Sequence, residues 1–358
     1  MEYMTGELSD GTTPYSAFKE NEGKVVSIKG AIHNIRDMSD FAFIILRTAR
    51  ELIQCVYSPE FSDYRLKENV VEQASAKITG KVVKSQTRDG SERFEIQIHD
   101  IEILSVPAAI PPVVINKKQV NCDLNIDLDF RPVTLRNPKE RAVFKIQEGI
   151  QRGFREHLSN CGFTEIHTPK INFAGAEGGT NVFKLDYFGK TVFLAQSPQL
   201  YKQALVPVYE RVFEIGPVFR AEHHDTSRHL NEYISMDFEM GFIDSFTDIM
   251  EMETGVLKYI MELLKREYAP EVELLKVDIP EIDKIPCIRF KDAKELCVKK
   301  LKNITDMKDF EPEEEAFLGK WAKQQYGSDF LFVTHYLSKK RPFYTCLLYT
   351  SPSPRDCS

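Results

Sequence analysis

The stretch Val212–Gly241, VFEIGPVFRAEHHDTSRHLNEYISMDFEMG, sets how the rest of the chain is read. It predicts two strands joined by a long polar loop. In the first, Glu214, Gly216, Val218, Arg220 and Glu222 share one face by the two-residue strand period. In the second, Tyr233, Ser235, Asp237 and Glu239 make one face, and Ile234, Met236, Phe238 and Met240 make an apolar one. An antiparallel pair in register places Arg220, Glu222, Tyr233, Asp237 and Glu239 on one surface, with the core behind them. His223–Asn231 is too polar to be buried. A plain surface hairpin with a solvated charged side has the same alternation. Against that, an arginine among carboxylates beside an aromatic suits phosphate clamping and base stacking.

Upstream of this hairpin, SPQLYKQALV predicts a helix with Ser197 as cap and Pro198 at its first position, which puts Gln199 and Lys202 on one face. VFKLDYFGKTVFLAQ predicts a hairpin turning at Phe188–Lys190. Asn172–Thr180, NFAGAEGGT, is a glycine-rich loop with one carboxylate, Glu177, and it lacks the GxxxxGK[ST] pattern of a Walker phosphate loop. Asn137-Pro138 opens a helix on which Val143, Ile146, Ile150, Phe154 and Leu158 recur at helical spacing, stopped by Gly162. FTEIHTPKI follows as a strand ended by Pro169. Downstream, SFTDIMEMETGVLKYIMELLKREY is a long amphipathic helix.

The N-terminal third differs. Five short strands in VVSIKGAIHNIR, FAFIILR, ELIQCVYS, AKITGKVVKS and RFEIQIHDIEIL, with the more helical FSDYRLKENVVEQA interposed, match an OB-fold. Phe43, Gln54 and Glu95 have the parity opposite to Ile44, Leu46, Ile53, Cys55, Ile96 and Ile98, so they face outward, where an aromatic with polar partners suits unstacked bases. The organisation is then a loosely held arm with a short helix (1–23), an OB domain (24–105), a proline-rich hinge with few helix signals (106–136), a second domain (137–345) and a tail (346–358). The fold class is α+β.

Length and composition agree with two globular domains. The net charge of −7 leaves no global basic field, so nucleic acid would be held by local patches. The seven cysteines show no CxxC pair and no zinc spacing, which fits a reducing compartment. No apolar run approaches a membrane span and no signal peptide opens the chain, so a cytoplasmic location without membrane contact is expected.

Taken together, FTEIHTPK, AEGGTNVF, LAQSPQLYKQ, GPVFRAE and RHLNEY resemble class II aminoacyl-tRNA synthetases, and within them the aspartyl-tRNA synthetases of archaeal and eukaryotic cytosolic type. The resemblance runs over Glu22–Thr345. It implies an OB anticodon-binding domain followed by the antiparallel-sheet catalytic domain of that class. It implies a ligase that activates L-aspartate with ATP and Mg²⁺ and transfers it to the 3′ end of tRNA(Asp), with tRNA(Asn) as a further acceptor left open.

By that resemblance Arg220 is catalytic and holds the ATP α-phosphate. Glu222, Arg228, His229 and Tyr233 complete the ATP site, with Tyr233 stacking on adenine. Glu177, Ser197, Gln199, Lys202, Asp237 and Glu239 form the aspartate site, and Lys202 pairs with the substrate's side-chain carboxylate. His224, Asp225 and Thr226 approach the tRNA acceptor end, while Phe43, Gln54 and Glu95 read anticodon bases. Pro169 lies at a homodimer interface.

The family continues into a third motif that supplies further ATP, Mg²⁺ and aspartate ligands. Here RPFYT is followed by CLLYTSPSPRDCS, so a truncated or fused frame, a catalytic domain incomplete at its C-terminus and impaired catalysis are expected. A non-catalytic tRNA-binding fragment and an asparagine-activating relative stay open as alternatives.

Overall fold

The computed structural model describes residues 11–38, 40–60, 69–86, 90, 92–173, 182–222, 230–301 and 307–337. The chain divides into two compact units, Met1–Glu140 and Arg141–Ser358.

In the first unit, β1 (Val25–Asp37), β2 (Ala42–Arg47), β3 (Leu52–Tyr57), β4 (Ser75–Gln86) and β5 (Glu92–Ser105) close into a barrel of order β1-β2-β3-β5-β4. The predicted parity holds: Ile44, Leu46, Ile53, Cys55, Ile96 and Ile98 fill the interior, whereas Phe43, Gln54 and Glu95 are half-buried on the outside. The register slips between Ile32 and Asn34, so His33 is buried as well as Ile32, and the bulge places Asn34 and Arg36 opposite Ile45 and Phe43.

Two expectations for this unit need correction, and a third falls largely outside the described residues. The arm is not loose throughout, because two 3₁₀ turns at Tyr15–Ala17 and Lys19–Asn21 set Phe18 into the barrel core with no exposed surface. The hinge contains α1 (Leu124–Asp129), capped by Asp123 accepting from the Ile126 N–H at 3.0 Å, and α2 (Arg131–Thr134). Its single cap was hidden among irregular neighbours. Of the interposed helical stretch, residues 61–68 lie outside the described residues, and Asn69–Ala74 is turns. Because Phe18 is a large, fully buried side chain, Phe18→Ala should cost the barrel about 3–5 kcal/mol by lost burial and cavity formation. A fall in the urea midpoint of the N-terminal unit would register it.

At the end of the first unit Asn137 Oδ1 accepts from the Lys139 N–H at 2.9 Å and opens α3 (Pro138–Asn160), most of which belongs to the second unit. Asn137 is itself buried, its amide donating to the carbonyls of Ile115 (2.9 Å) and Lys117 (2.8 Å). The central sheet runs β11-β10-β6, with β6 at Thr164–Glu165, β10 at Arg211–Phe219 and β11 at Glu232–Met240. β6 is parallel to β10, and β11 is antiparallel to it. Phe213, Ile215, Phe238 and Met240 project from one face onto Phe154 and Leu158 of α3 and onto Val256, Ile260, Leu263 and Leu264 of α5 (Phe246–Glu267). α5 opens with a capping box between Ser245 and Asp248.

The buried stripe of α3 holds Ile146, Ile150, Phe154 and Leu158 as predicted, but differs at its start and in its glycines. Val143 is exposed, and Gly149 and Gly153 are buried instead. A Cβ at Gly149 would lie 2.7 Å from Leu264, and one at Gly153 would lie 2.9 Å from Ile260. These glycines let α3 and α5 approach closely, a role that hydrophobic periodicity does not reveal.

A second sheet, β7-β9-β8, consists of β7 (Ile171–Asn172), β8 (Lys184–Tyr187) and β9 (Lys190–Leu194), turning through Phe188 and Gly189, both at positive φ. α4 (Gln199–Tyr209) follows. Beyond α5, a short α6 (Ala269–Leu275) leads to α7 (Phe290–Lys300) and α8 (Pro312–Tyr326), which pack beside a parallel pair, β12 (Cys287–Arg289) and β13 (Phe332–Thr334).

His157 on α3 packs its ring against Tyr259 at 5.5 Å and its Nε2 3.6 Å from Cys161 Sγ, and burial lowers its pKa. A histidine depressed in the fold binds its proton more readily when unfolded, so stability falls as pH drops below the ordinary value of 6.5. Glu156 and Glu267 are held low first by hydrogen bonds from Arg152, and their contribution is lost only below the usual 4.5. Comparing urea midpoints at pH 7.5 and pH 5.5, wild type should lose stability that His157→Gln keeps.

Candidate active site

The face of β10–β11 turned away from α3 and α5 carries the polar residues. Register pairs Glu214 with Asp237, Gly216 with Ser235, Val218 with Tyr233 and Val212 with Glu239. This face is not open along its whole length, because Val212, Glu214 and Val218 are buried and α4 packs over both strands.

α4 delivers Lys202 to this floor. The residue is only 4% exposed, and its Nζ lies 3.2 Å from Asp237 Oδ1 and 3.5 Å from Glu239 Oε2. Gln199, one turn earlier, donates Nε2 to Glu239 Oε2 at 3.3 Å, and the Ser235 hydroxyl bonds Asp237 Oδ2. A buried ammonium is costly unless paired, and here two carboxylates share it. The cluster can offer a cation to a ligand carboxylate and anions to a ligand ammonium, which together match an amino acid.

The start of α4 sits one residue later than the sequence suggested. Pro198 occupies the cap and its carbonyl accepts from the Lys202 N–H at 2.9 Å, while Ser197 Oγ accepts from the Gln199 N–H at 3.3 Å. The shift leaves Gln199 and Lys202 on one face. The Ser197 hydroxyl stays beside them.

At the other end of the floor, strand pairing continues past β10 through the Arg220 N–H to the Asn231 carbonyl at 3.0 Å. Arg220, Glu222 and Tyr233, a guanidinium, a carboxylate and a phenol ring, are all half-buried there. Arg228, His229, His224, Asp225, Thr226 and Glu177 lie outside the described residues.

On the barrel of the first unit, Gln54 Nε2 donates to Glu95 Oε2 at 2.8 Å, so these two act as one polar unit. Phe43 meets Phe41 edge-on at 5.3 Å, and Arg36 stands opposite Phe43 across the β1–β2 ladder. Stacking rings, a guanidinium and an amide–carboxylate pair on one barrel face are suited to bases. Arg36 escaped sequence reasoning because the bulge at His33 inverts the alternation.

Residues 123–353 match the family described as tRNA synthetases class II (D, K and N), and residues 26–104 match the OB-fold nucleic acid binding domain. The chain belongs to the class II tRNA synthetases. It is an aminoacyl-tRNA ligase, and such synthetases use ATP. The chain is 44% identical to the aspartate–tRNA(Asp/Asn) ligase of Deinococcus radiodurans, over 91% of this chain and 73% of that protein. It is 34% identical to the aspartate–tRNA(Asp) ligase of Pyrococcus abyssi, over 91% and 75%. Among solved structures, the asparaginyl-tRNA synthetase from Pyrococcus horikoshii complexed with asparaginyl-adenylate superposes with a TM-score of 0.79 at 25% identity, over 94% of this chain and 76% of that one. The aspartyl tRNA synthetase from Entamoeba histolytica gives 0.79 at 24% identity, over 98% and 77%, and shows the shared fold.

In this synthetase the floor carboxylates are already matched by ammonium groups, Lys202 with Asp237 and Glu239, and Lys170 with Glu214. Among the described residues no cluster of three or more His, Cys, Asp or Glu side chains stands out as a metal site. Cys55 and Cys297 are kept as thiols by burial, Cys297 pushed up to about 11, so neither serves as a nucleophile. Three floor residues were not identified from sequence as functional: Glu214, Thr168 and Lys170. Their partners are about 45 positions apart in the chain, and only the fold brings them together.

Proposed function

We propose that this synthetase activates L-aspartate with ATP to aspartyl-adenylate and pyrophosphate, then transfers the aspartyl group to the 3′ terminal ribose of tRNA(Asp). The observation that carries this reading is Lys202, buried on the floor and aimed at carboxylates. An ammonium held in that way loses most of its partner energy when offered an amide, which favours aspartate over asparagine. The relatives named as aspartate ligases support the same choice.

In the first step the substrate α-carboxylate attacks the α-phosphate and pyrophosphate leaves. Lys202 takes the substrate's side-chain carboxylate, while Asp237, Glu239 and Gln199 surround its ammonium and Ser197 lines the pocket. Arg220 neutralises charge growing on the α-phosphate, Glu222 contacts the adenine side and Tyr233 stacks on the base. Glu177, Arg228 and His229 belong to the same proposal, as do His224, Asp225 and Thr226 toward the tRNA end. No protein nucleophile is needed, since positioning and charge neutralisation drive both displacements.

The OB domain (24–105) reads the anticodon through Phe43, Gln54 and Glu95, with Arg36 beside them, and 137–345 is the catalytic domain. Mg²⁺ accompanies ATP as its counter-ion. A homodimer is supported by the exposure of Pro169 and by Ile171, Phe173, Leu185 and Tyr187, apolar and exposed on or beside the β7-β9-β8 sheet. Among the described residues no helix is long and apolar enough to cross a membrane, and a cytoplasmic location is proposed from the need for tRNA. tRNA(Asn) enters as a second acceptor because several relatives are named for both tRNAs.

The test is aspartylation of tRNA(Asp) and tRNA(Asn) transcripts. Charging of tRNA(Asp) with aspartate is expected, and its absence alongside charging by asparagine would overturn the reading. Phe43→Ala should raise the KM for tRNA about tenfold, the loss of one stacked base, and leave amino-acid activation unchanged.

A further inference from the structure

The floor holds a second ion pair that the steps above do not use. Glu214 is only 3% exposed, and its carboxylate accepts from the Thr168 N–H at 2.8 Å, the Thr168 hydroxyl at 2.7 Å and Lys170 Nζ at 2.9 Å. Thr168 and Lys170 lie on the segment between β6 and β7, and the Lys170 carbonyl accepts from the Ala195 N–H at 2.9 Å. Ala195 in turn accepts from the Phe219 N–H at 2.8 Å, which pins this segment beside β10. Gly216 leaves room for the lysine, since a Cβ there would stand 3.4 Å from Lys170 Nζ and 3.3 Å from Glu214 Oε1.

Glu214 is the register partner of Asp237, the residue that holds Lys202. Like charges directly opposed on antiparallel strands repel. The α4 end of the floor has three carboxylates (Glu214, Asp237, Glu239) and two ammonium groups (Lys170, Lys202) in these ion pairs, which sum to −1. Without Lys170 the sum is −2, and Lys202 is the sole counter-ion left among these five. A substrate carboxylate would then meet stronger repulsion and stronger internal competition for that ammonium.

We infer that the Lys170–Glu214 pair is a positioning and charge-balancing element that keeps Lys202 available to the side-chain carboxylate of the amino-acid substrate. This rests on the aspartate reading given above.

The test is aspartate-dependent ATP–pyrophosphate exchange by the full chain, comparing wild type with Lys170→Met, Lys170→Arg, Glu214→Gln and the Lys170→Met/Glu214→Gln double variant. Lys170→Met should raise the aspartate KM roughly tenfold while the ATP KM and kcat stay within about twofold, because the added negative charge acts at close range on the amino-acid subsite. Lys170→Arg and the double variant should return the aspartate KM to near wild type. Glu214→Gln should leave it at or below wild type, whereas a merely structural role predicts damage at least equal to that of Lys170→Met. A rise with Glu214→Gln, an unsplit change in both KM values, or no recovery in the double variant overturns the inference. If Lys170→Met does not fold, Glu214→Gln and the double variant carry the decision alone. A wild type that exchanges with asparagine and not with aspartate overturns the aspartate reading and this inference with it. An active wild type with unsplit variants overturns the inference only.

Discussion

Lys202→Met is expected to lower kcat/KM for L-aspartate in ATP–pyrophosphate exchange by about 10²–10³-fold, the cost of breaking a buried ion pair by removing one partner. The lysine is almost wholly enclosed, and both of its partners are carboxylates on β11. Removing the ammonium does two things. It deletes the group that would meet the substrate's side chain, and it leaves Asp237 and Glu239 facing each other without a cation. These two retain some exposure (21% and 27%), so water offsets part of the second effect. The loss should therefore fall mainly on aspartate recognition, with the ATP KM close to wild type. An asparagine-activating enzyme would lose little. Measuring the exchange with each amino acid separates the two.

Arg220→Ala is expected to reduce kcat for adenylate formation by about 10²–10³-fold, the usual effect of removing one group preorganised for transition-state charge. The backbone of Arg220 is fixed by its position: its N–H extends the β10–β11 ladder to the Asn231 carbonyl, one residue past β10. Charge on the α-phosphate grows as the substrate carboxylate attacks. An interaction made chiefly in that transition state changes kcat more than KM. Arg220→Lys should recover only part of the activity, because an ammonium lacks the planar fork that bridges two phosphate oxygens. A rise in the ATP KM with kcat unchanged would show that Arg220 only binds ATP.

The strand period made the central hairpin legible. Two-residue alternation from Glu214 to Val218 and from Tyr233 to Glu239 separates the polar floor from Phe213, Phe238 and Met240 with the parity of the observed register, whereas β10 ends at Phe219 and Glu222 lies beyond the paired residues. The same rule worked across the barrel until the bulge at His33, where one extra residue turned Asn34 and Arg36 to the outer face. Lys202 illustrates a different limit. Helical spacing put it beside Gln199, but a lone lysine is ordinarily solvated, and only the packing of α4 on the sheet reveals its burial. Gly149 and Gly153 carry no apolar signal, so the close approach of α3 and α5 was invisible. Glu214 was assigned to the correct face, but its bonds to Thr168 and Lys170 depend on β6 lying beside β10, a long-range pairing that local pattern does not specify.

The central claim is that a buried lysine on a class II synthetase floor selects aspartate. The most direct measurement is ATP–pyrophosphate exchange by the 358-residue chain with L-aspartate, L-asparagine and L-lysine in parallel. Exchange with aspartate exceeding that with asparagine by about 10²-fold is predicted, since the amide forfeits a charge-assisted bond to a buried ammonium. Equal or greater exchange with asparagine would contradict the account.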